Sequence, residues 1–523
     1  MSERSAFLRG SIILICANAT AKILGAVFKI PLTYVLREEG MAVYQTAFSV
    51  YIMMLSLVPG GFGFATTKLL GEYCAKGERE RPSGVVKGMT LVLGALGVFV
   101  SVAMYICADW LALAMREASA PDSIRAMAFA VLAVSISSPV KSFNEADAHY
   151  IPTALSQVVE AVIKLLLGLY LAKLFKNNRL SPVVGALLGV VAGEMFQTLF
   201  LYAVWLFSGK NVHKAFIKRE ELKKIFSLAL PLTVTGLATG ALAMCETAVI
   251  RNALSDITFT KASAYVFLKH YAPYTDVFNT LPAELSLSPD GVRKLFGAFS
   301  GYAQTVFNLP VGIAATVTAA ATPLFSKSIT LGSGCDVEKT AEKVLKPVYF
   351  IIVPATLVCT FFPGEVLKLI FNNGFSAGML ASCAPAMLFL CTSNMLVLIL
   401  HLSGRVYEPF AAAMLALLVR IVATAILIRI PGVNILGAGY AQIIASACVL
   451  VCNFVMLRKI SGVKIDFIKS AARPFFSGVV MIAVMKLATA LIPACFDSRA
   501  SFLIVCIIGG IIYNLSVRCT DKL

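Results

Sequence analysis

Apolar positions in this chain run together in blocks of about 20 residues, parted by short polar or basic stretches. Each block is long enough to cross a hydrocarbon core of about 30 Å as a helix. The strict alternation of a membrane β-barrel is absent. The blocks predict about fourteen spans. The first six lie near 8–35, 42–69, 85–110, 124–145, 152–174 and 182–207. Six more are expected near 226–250, 296–325, 346–363, 380–404, 409–430 and 435–457, and two last ones near 474–493 and 500–517. The longest external loop, 251–295, is aromatic in places (Tyr265, Phe267, Tyr271, Tyr274, Phe278) and carries Pro273, Pro282 and Pro289. It is expected to lie against the membrane surface or to cap the outer mouth.

An internal repeat orders these spans. Tyr44-Gln45-Thr46-Ala47-Phe48 in span 2 has a counterpart in Tyr302-Ala303-Gln304-Thr305-Val306-Phe307 of span 8. Tyr150-Ile151-Pro152 opens span 5 as Tyr407-Glu408-Pro409 opens span 11. The offset is six spans. An even offset gives parallel repeats about an axis along the membrane normal, with the substrate site between halves. The expected organisation is an N-lobe over 1–208, a basic cytoplasmic connector over 209–225, a C-lobe over 226–457, and a second connector with two extra helices over 458–523.

Composition agrees with the pattern. The chain has 523 residues, 59% of them hydrophobic and 14% charged, with a mean hydropathy of +0.84. That leaves no room for a sizeable soluble domain. The net charge of +17 is read as basic cytoplasmic loops rather than a nucleic-acid surface. With both termini in the cytoplasm, cytoplasmic segments hold roughly twice the Lys and Arg of external ones. The first apolar block exceeds a signal peptide's apolar region and holds Lys22, so it reads as a retained helix. The 13 cysteines are scattered through apolar runs, and neither they nor the four histidines have metal-ligand spacing. No metal and no cofactor is expected.

No nucleophile elbow, phosphate loop or dinucleotide fingerprint stands in a plausible context. The informative residues are charges at membrane depth, which are costly and usually face protein or a watery cavity. Lys22 and Lys29 share one face of span 1 with Asn18 and Thr33. Lys29 is close enough to the outer end to snorkel, whereas Lys22 is about 16 Å from either face. Span 5 carries Gln157, Glu160 and Lys164 on one face, and Glu160–Lys164 is an i, i+4 pair in the favourable order. That pair reads equally as a structural ion pair or as part of a site. Arg420 occupies the comparable place in span 11, and Gln45 sits in span 2. Glu160, Glu194 and Glu246 are the coupling-ion candidates, with Arg251 near Glu246. Cations outnumber acids in this set, which points to an anionic substrate such as a diphosphate.

The residues also carry a resemblance. Phe7-Leu8-Arg9-Gly10, Ala21-Lys22-Ile23-Leu24-Gly25 and Phe28-Lys29-Ile30-Pro31 resemble the start of the stage V sporulation protein B and polysaccharide biosynthesis family. So do Lys68-Leu69-Leu70-Gly71-Glu72-Tyr73, Pro152-Thr153-Ala154-Leu155-Ser156-Gln157-Val158-Val159-Glu160 and Ala229-Leu230-Pro231-Leu232-Thr233. The segment Lys141 to His149 departs from that family's pattern, and the loop after Arg251 is longer than the family leads one to expect.

This resemblance implies the multidrug/oligosaccharidyl-lipid/polysaccharide exporter superfamily. Its fold would be all-α and polytopic, with two six-helix lobes in a V plus two C-terminal helices. It further implies a monomeric flippase in the bacterial cytoplasmic membrane, not an enzyme, that moves an undecaprenyl-diphosphate-linked sugar, lipid II among them. In this reading Lys22, Lys29, Lys164 and Arg420 hold the diphosphate, while Asn18, Gln45 and Gln157 offer hydrogen bonds. H+ or Na+ are the candidate coupling ions. The alternatives are a cation-coupled multidrug antiporter of the same superfamily and a membrane polymerase or ligase acting on the same lipids.

Overall fold

The structure, a computed structural model, describes residues 3–76, 80–147, 149–178, 181–208, 217–259, 285–330, 334–405, 407–461, 465–491 and 498–522. The fold is all-α and polytopic. Helices α1 (Glu3–Leu55), α2 (Gly61–Ala75), α3 (Glu80–Ile106), α4 (Ala108–Ala114), α5 (Pro121–Ala146), α6 (Tyr150–Asn177), α7 (Pro182–Phe207) and α8 (Arg219–Ser255) come first. After them follow α9 (Pro289–Ala298), α10 (Gln304–Ala320), α11 (Thr322–Thr330), α12 (Gly334–Phe361), α13 (Pro363–Phe371) and α14 (Ala377–Cys383). The last are α15 (Ala386–Leu402), α16 (Tyr407–Ile428), α17 (Leu436–Ser461), α18 (Phe467–Leu491) and α19 (Ser498–Lys522).

Among the described residues, 12 helices are long and apolar enough to cross a membrane. One of them, Ile23–Cys74, runs over both of the first two expected spans. The two are parted at Arg37, where φ 56° and ψ −169° break α1. A non-glycine residue there is strained by about 1–3 kcal/mol. Below the break the helix continues into a π-helical turn, Ser56–Gly60, around Pro59. Proline has no N–H to donate, so the regular ladder must adjust at that point. The 28-residue α6, which carries Glu160 and Lys164, matches the fifth expected span.

The chain divides into two compact units, Met1–Arg251 and Asn252–Leu523. In the first, α6 and α7 pack along the small residues of α7. A Cβ on Gly185 would stand 2.5 Å from the Leu171 carbonyl oxygen, and one on Gly193 would stand 2.9 Å from that of Glu160. Gly189 meets the backbone of Gly168. Backbones approach this closely in membranes only where side chains are small. This closeness sets α6 and α7 side chains opposite one another.

The other main seam of the first unit runs along α8. Gly61 packs on Ala229 and Thr233, and Phe62 meets Phe226 edge-on at 5.0 Å. Further along, a Cβ on Gly236 or Gly240 would lie 3.3 Å from Ser56 or 3.0 Å from Met53. At one end of the seam, Lys224 pairs with Glu72 at 2.5 Å, and Tyr73 donates to Glu221 at 2.7 Å. At the other end Arg251 is buried in an ion pair with Glu117 at 2.8 Å. The repeat opens its second half at span 7, but these contacts draw α8 into the first unit.

The second unit has a core around Phe325, Leu345, Val353, Met395, Leu396 and Leu400. Gly437 of α17 packs on the backbone of Leu427 and Ile428 at the end of α16, 2.8 Å from a built Cβ. This is the same junction as Gly185 on Leu171 in the first unit. Helices α18 and α19 pack through Gly509 on Met485, and Ser516 donates to Ser477 at 3.0 Å. Thr258–Phe259 pairs antiparallel with Leu285–Ser286. The aromatic stretch expected to cap the outer mouth lies mostly in 260–284, outside the described residues.

Candidate functional site: a charged cluster in the first unit

Helices α1, α5, α6 and α7 bring charged and polar side chains together at membrane depth. On α6, Glu160 and Lys164 lie about 15 and 21 Å from the helix start at 1.5 Å per residue. Lys164 Nζ is 3.9 Å from Glu160 Oε1, a loose pair. The other carboxylate oxygen, Oε2, accepts from Gln197 Nε2 at 3.5 Å. Gln197 Oε1 in turn accepts from Lys141 Nζ at 2.6 Å. Glu194, one turn before Gln197, accepts from Tyr51 OH at 3.0 Å and senses the charges of Glu160, Lys141 and Lys164. Lys29 is half-buried and within charge range of Lys164.

Three lysines, Lys29, Lys141 and Lys164, gather around Glu160 and Glu194, and Glu145 on α5 also senses the charge of Lys141. Gln197 is 1% exposed and Glu194 9%, whereas the Lys164 and Glu160 side chains are 18% and 21% exposed. Glu194 and the Gln197 amide are thus sunk into the packing, and the Lys164–Glu160 pair is the more accessible part. Such an arrangement can accept an anion, because charge-assisted contacts strengthen away from water. Among the described residues, no three His, Cys, Asp or Glu side chains converge to hold a metal ion.

The sequence profile of the polysaccharide biosynthesis protein family matches residues 7–329, more than half of the chain. The chain belongs to the polysaccharide biosynthesis protein family. A lipid II flippase profile matches residues 297–508. Over 480 residues the chain is 20% identical to stage V sporulation protein B of Bacillus subtilis (strain 168), covering 90% of this chain and 87% of that one. It is 23% identical over 489 residues to the lipid II flippase MurJ of the same organism, covering 88% and 84%. Among solved structures, the lipid II flippase MurJ in an inward closed conformation matches with a TM-score of 0.68 at 14% identity, over 98% of this chain and 99% of that one. An inward-facing multidrug resistance MATE family transporter matches at 0.66 and 13% identity, over 86% and 98%. At such identities the structural likenesses show a shared fold.

Within this family member, the cluster gathers some of the expected site residues and leaves others apart. Lys29, Glu160, Lys164 and Glu194 are brought together. Gln157 lies three residues before Glu160, its Oε1 buried with no hydrogen-bond partner among the described residues. Gln45 is half-buried on α1, and its backbone carbonyl accepts from Ser49. Glu246 is buried on α8. Arg420 belongs to the second unit, half-buried on α16 and within charge range of Cys383. The backbone of Asn18 and Lys22 is helical, but their side chains lie outside the described residues.

Arg251, grouped by sequence with the membrane charges, is a fastening. Its guanidinium donates to the carbonyls of Met115, Arg116 and Ala42 at 3.3 Å and to Thr46 Oγ1 at 2.8 Å, besides pairing with Glu117. Sequence reasoning missed Lys141, Gln197 and Tyr51 as members of the cluster. An amide amid the apolar residues of α7 was the available signal for Gln197. Tyr51 and Lys141 sit far from Glu194 and Gln197 in sequence and carried none.

Proposed function

We propose that this chain is a flippase that carries an undecaprenyl-diphosphate-linked oligosaccharide, such as lipid II or a polysaccharide precursor, across the cytoplasmic membrane by alternating access. The observation that carries the reading is the gathering of Lys29, Lys141 and Lys164 at membrane depth around Glu160 and Glu194 within a polytopic helical unit. A diphosphate matches such a group of ammoniums, and the prenyl tail would stay in lipid. Membership of the polysaccharide biosynthesis family and the likeness to a lipid II flippase support the same substrate class. Lys22 and Arg420 are further candidate phosphate ligands, with Asn18, Gln45 and Gln157 as hydrogen-bonding groups. Glu160, Glu194 and Glu246 are the groups through which H+ or Na+ would be coupled. The protein works as a monomer, with both termini in the cytoplasm. No catalytic chemistry is assigned to it.

The test is translocation in liposomes loaded with lipid II or a second prenyl-diphosphate sugar, wild type against Lys29→Ala and Lys22→Ala. The reading expects transport of at least one lipid and a loss of about tenfold or more in each variant. Efflux of cationic dyes with no lipid transport would replace it by a multidrug antiporter. Formation of a glycan product by the purified protein would replace it by an enzyme.

A further inference from the structure

Lys141 stands five residues before the end of α5 at Ala146, about 8 Å from that end. A lysine this close to a helix end ordinarily runs its stem along the helix toward the near interface. It does the opposite. Its ammonium turns inward and donates to Gln197 Oε1 at 2.6 Å, and Gln197 lies about 15 Å from the end of α7. Glu145, four residues on from Lys141, senses its charge, but the hydrogen bond goes to the amide.

The partner matters because it is neutral. A carboxylate in hydrogen-bond contact would neutralise the lysine directly, while an amide oxygen orients the ammonium and leaves its charge to act at longer range, where Glu145 and Glu194 sense it. Among the described residues one of the three N–H groups of the ammonium is used, by Gln197, and two remain. Gln197 is itself held from both sides, since its Nε2 donates to Glu160 Oε2 at 3.5 Å. The amide oxygen faces a cation and the amide nitrogen an anion, which is the orientation its dipole requires. Buried at 1% exposure, it would carry a desolvation cost without those contacts. The contacts therefore form a chain: Lys141, Gln197, Glu160, Lys164, with Lys29 in charge range beyond.

We infer that Lys141, oriented by Gln197, is a second anion-binding position of this site, which contacts the second phosphate of a diphosphate while Lys164 and Lys29 hold the first. This rests on the reading that the site takes a prenyl diphosphate. Lys141 then sets the preference for a diphosphate over a monophosphate, and Gln197 acts as a positioning residue through it.

The experiment measures binding of undecaprenyl diphosphate, undecaprenyl monophosphate and undecaprenol to the full-length protein in nanodiscs. Lys141→Gln is expected to weaken diphosphate binding about tenfold and monophosphate binding less than about twofold. Lys141→Arg keeps the diphosphate preference. Gln197→Leu lowers that preference, and adding it to Lys141→Gln lowers it no further, because the two act through one contact. A structural role for the pair would instead change all three lipids alike. If Lys141→Gln does not give folded protein, Lys141→Arg and Gln197→Leu carry the test. A diphosphate preference unchanged in Lys141→Gln, but lost in Lys29→Gln and Lys164→Gln, overturns this inference alone. Wild-type protein that binds the diphosphate no better than undecaprenol overturns the substrate reading and this inference with it.

Discussion

Removing the Arg251 side chain should be among the most damaging single changes in the first unit. The Arg251 and Glu117 side chains are 3% and 1% exposed and meet at 2.8 Å. Arg251→Met leaves Glu117 as a charge with no cation in that contact. It also strips donors from the carbonyls of Met115, Arg116 and Ala42 and from Thr46 Oγ1. Breaking a buried pair from one side costs about 3–5 kcal/mol, most of it from the charge left behind. For a unit of this size each kcal/mol is worth about 2–4 °C, so the melting temperature should fall on the order of 10 °C. Thermal unfolding of the purified protein in detergent, followed by intrinsic fluorescence, reads this directly. Glu117→Gln should cost less, about 1.5–3 kcal/mol, because Arg251 keeps its neutral acceptors. Arg251→Met with Glu117→Leu should recover much of the loss, since an apolar pair is tolerated where half an ion pair is not. A fall of less than about 2 °C in Arg251→Met would refute the argument.

Four further outcomes follow from the packing and the cluster. Tyr51→Phe removes the hydroxyl that donates to Glu194 at 3.0 Å and should destabilise the protein by about 1–3 kcal/mol in the same unfolding assay. Gly189→Val puts a branched side chain against the backbone of Gly168 and should abolish the monodisperse peak in size-exclusion chromatography. Gly25→Ala, where a built Cβ meets nothing within 4 Å, should leave that peak unchanged. Lys164→Gln should slow liposome translocation of a prenyl-diphosphate sugar by about tenfold, and an unchanged rate would remove Lys164 from the site.

The spans were legible because a membrane forces one solution on a block of about 20 apolar residues. Local pairs were legible too: Glu160 and Lys164 share a face by spacing alone, and the structure puts them 3.9 Å apart. What spacing cannot give is which helix lies across the gap. Lys141 and Gln197 are 56 residues apart and Tyr51 and Glu194 are 143 apart, and the two contacts depend on how α5 and α1 pack against α7. Gly193 shows the link, since its missing side chain lets the α6 backbone at Glu160 close on α7. Gly185, Gly189 and Gly193, spaced four apart in an apolar run, mark a close-packing stripe by sequence alone. Their consequence for the charges one turn away is not legible there. Arg251 misled for the same reason: seen alone it is an expensive cation, and only with Glu117 across the fold is it a tie.

The seam along α8 leads to a last prediction. Transporters built from parallel repeats rock one bundle against the other, and by the sequence repeat α8 opens the second half. By its contacts it belongs with the first unit, because parting it from that unit would strip the buried pair of Arg251 with Glu117 in the turn between α4 and α5, at a cost of about 3–5 kcal/mol, and the donation to Ala42 and Thr46 of α1. The exposed pair of Lys224 and Glu72 at the other end adds little to this, so the buried clamp decides. Helix α8 should therefore move with the first unit. A built Cβ on Gly240 lies 3.3 Å from Met53 Cβ, near the separation a disulfide needs. With the 13 native cysteines replaced, Met53→Cys with Gly240→Cys should cross-link on oxidation, and the cross-linked protein should still translocate the prenyl-diphosphate lipid proposed as its substrate. Transport that stops on oxidation and returns on reduction would mean that this seam opens in every cycle, and that the clamp at Arg251 is broken and remade each time.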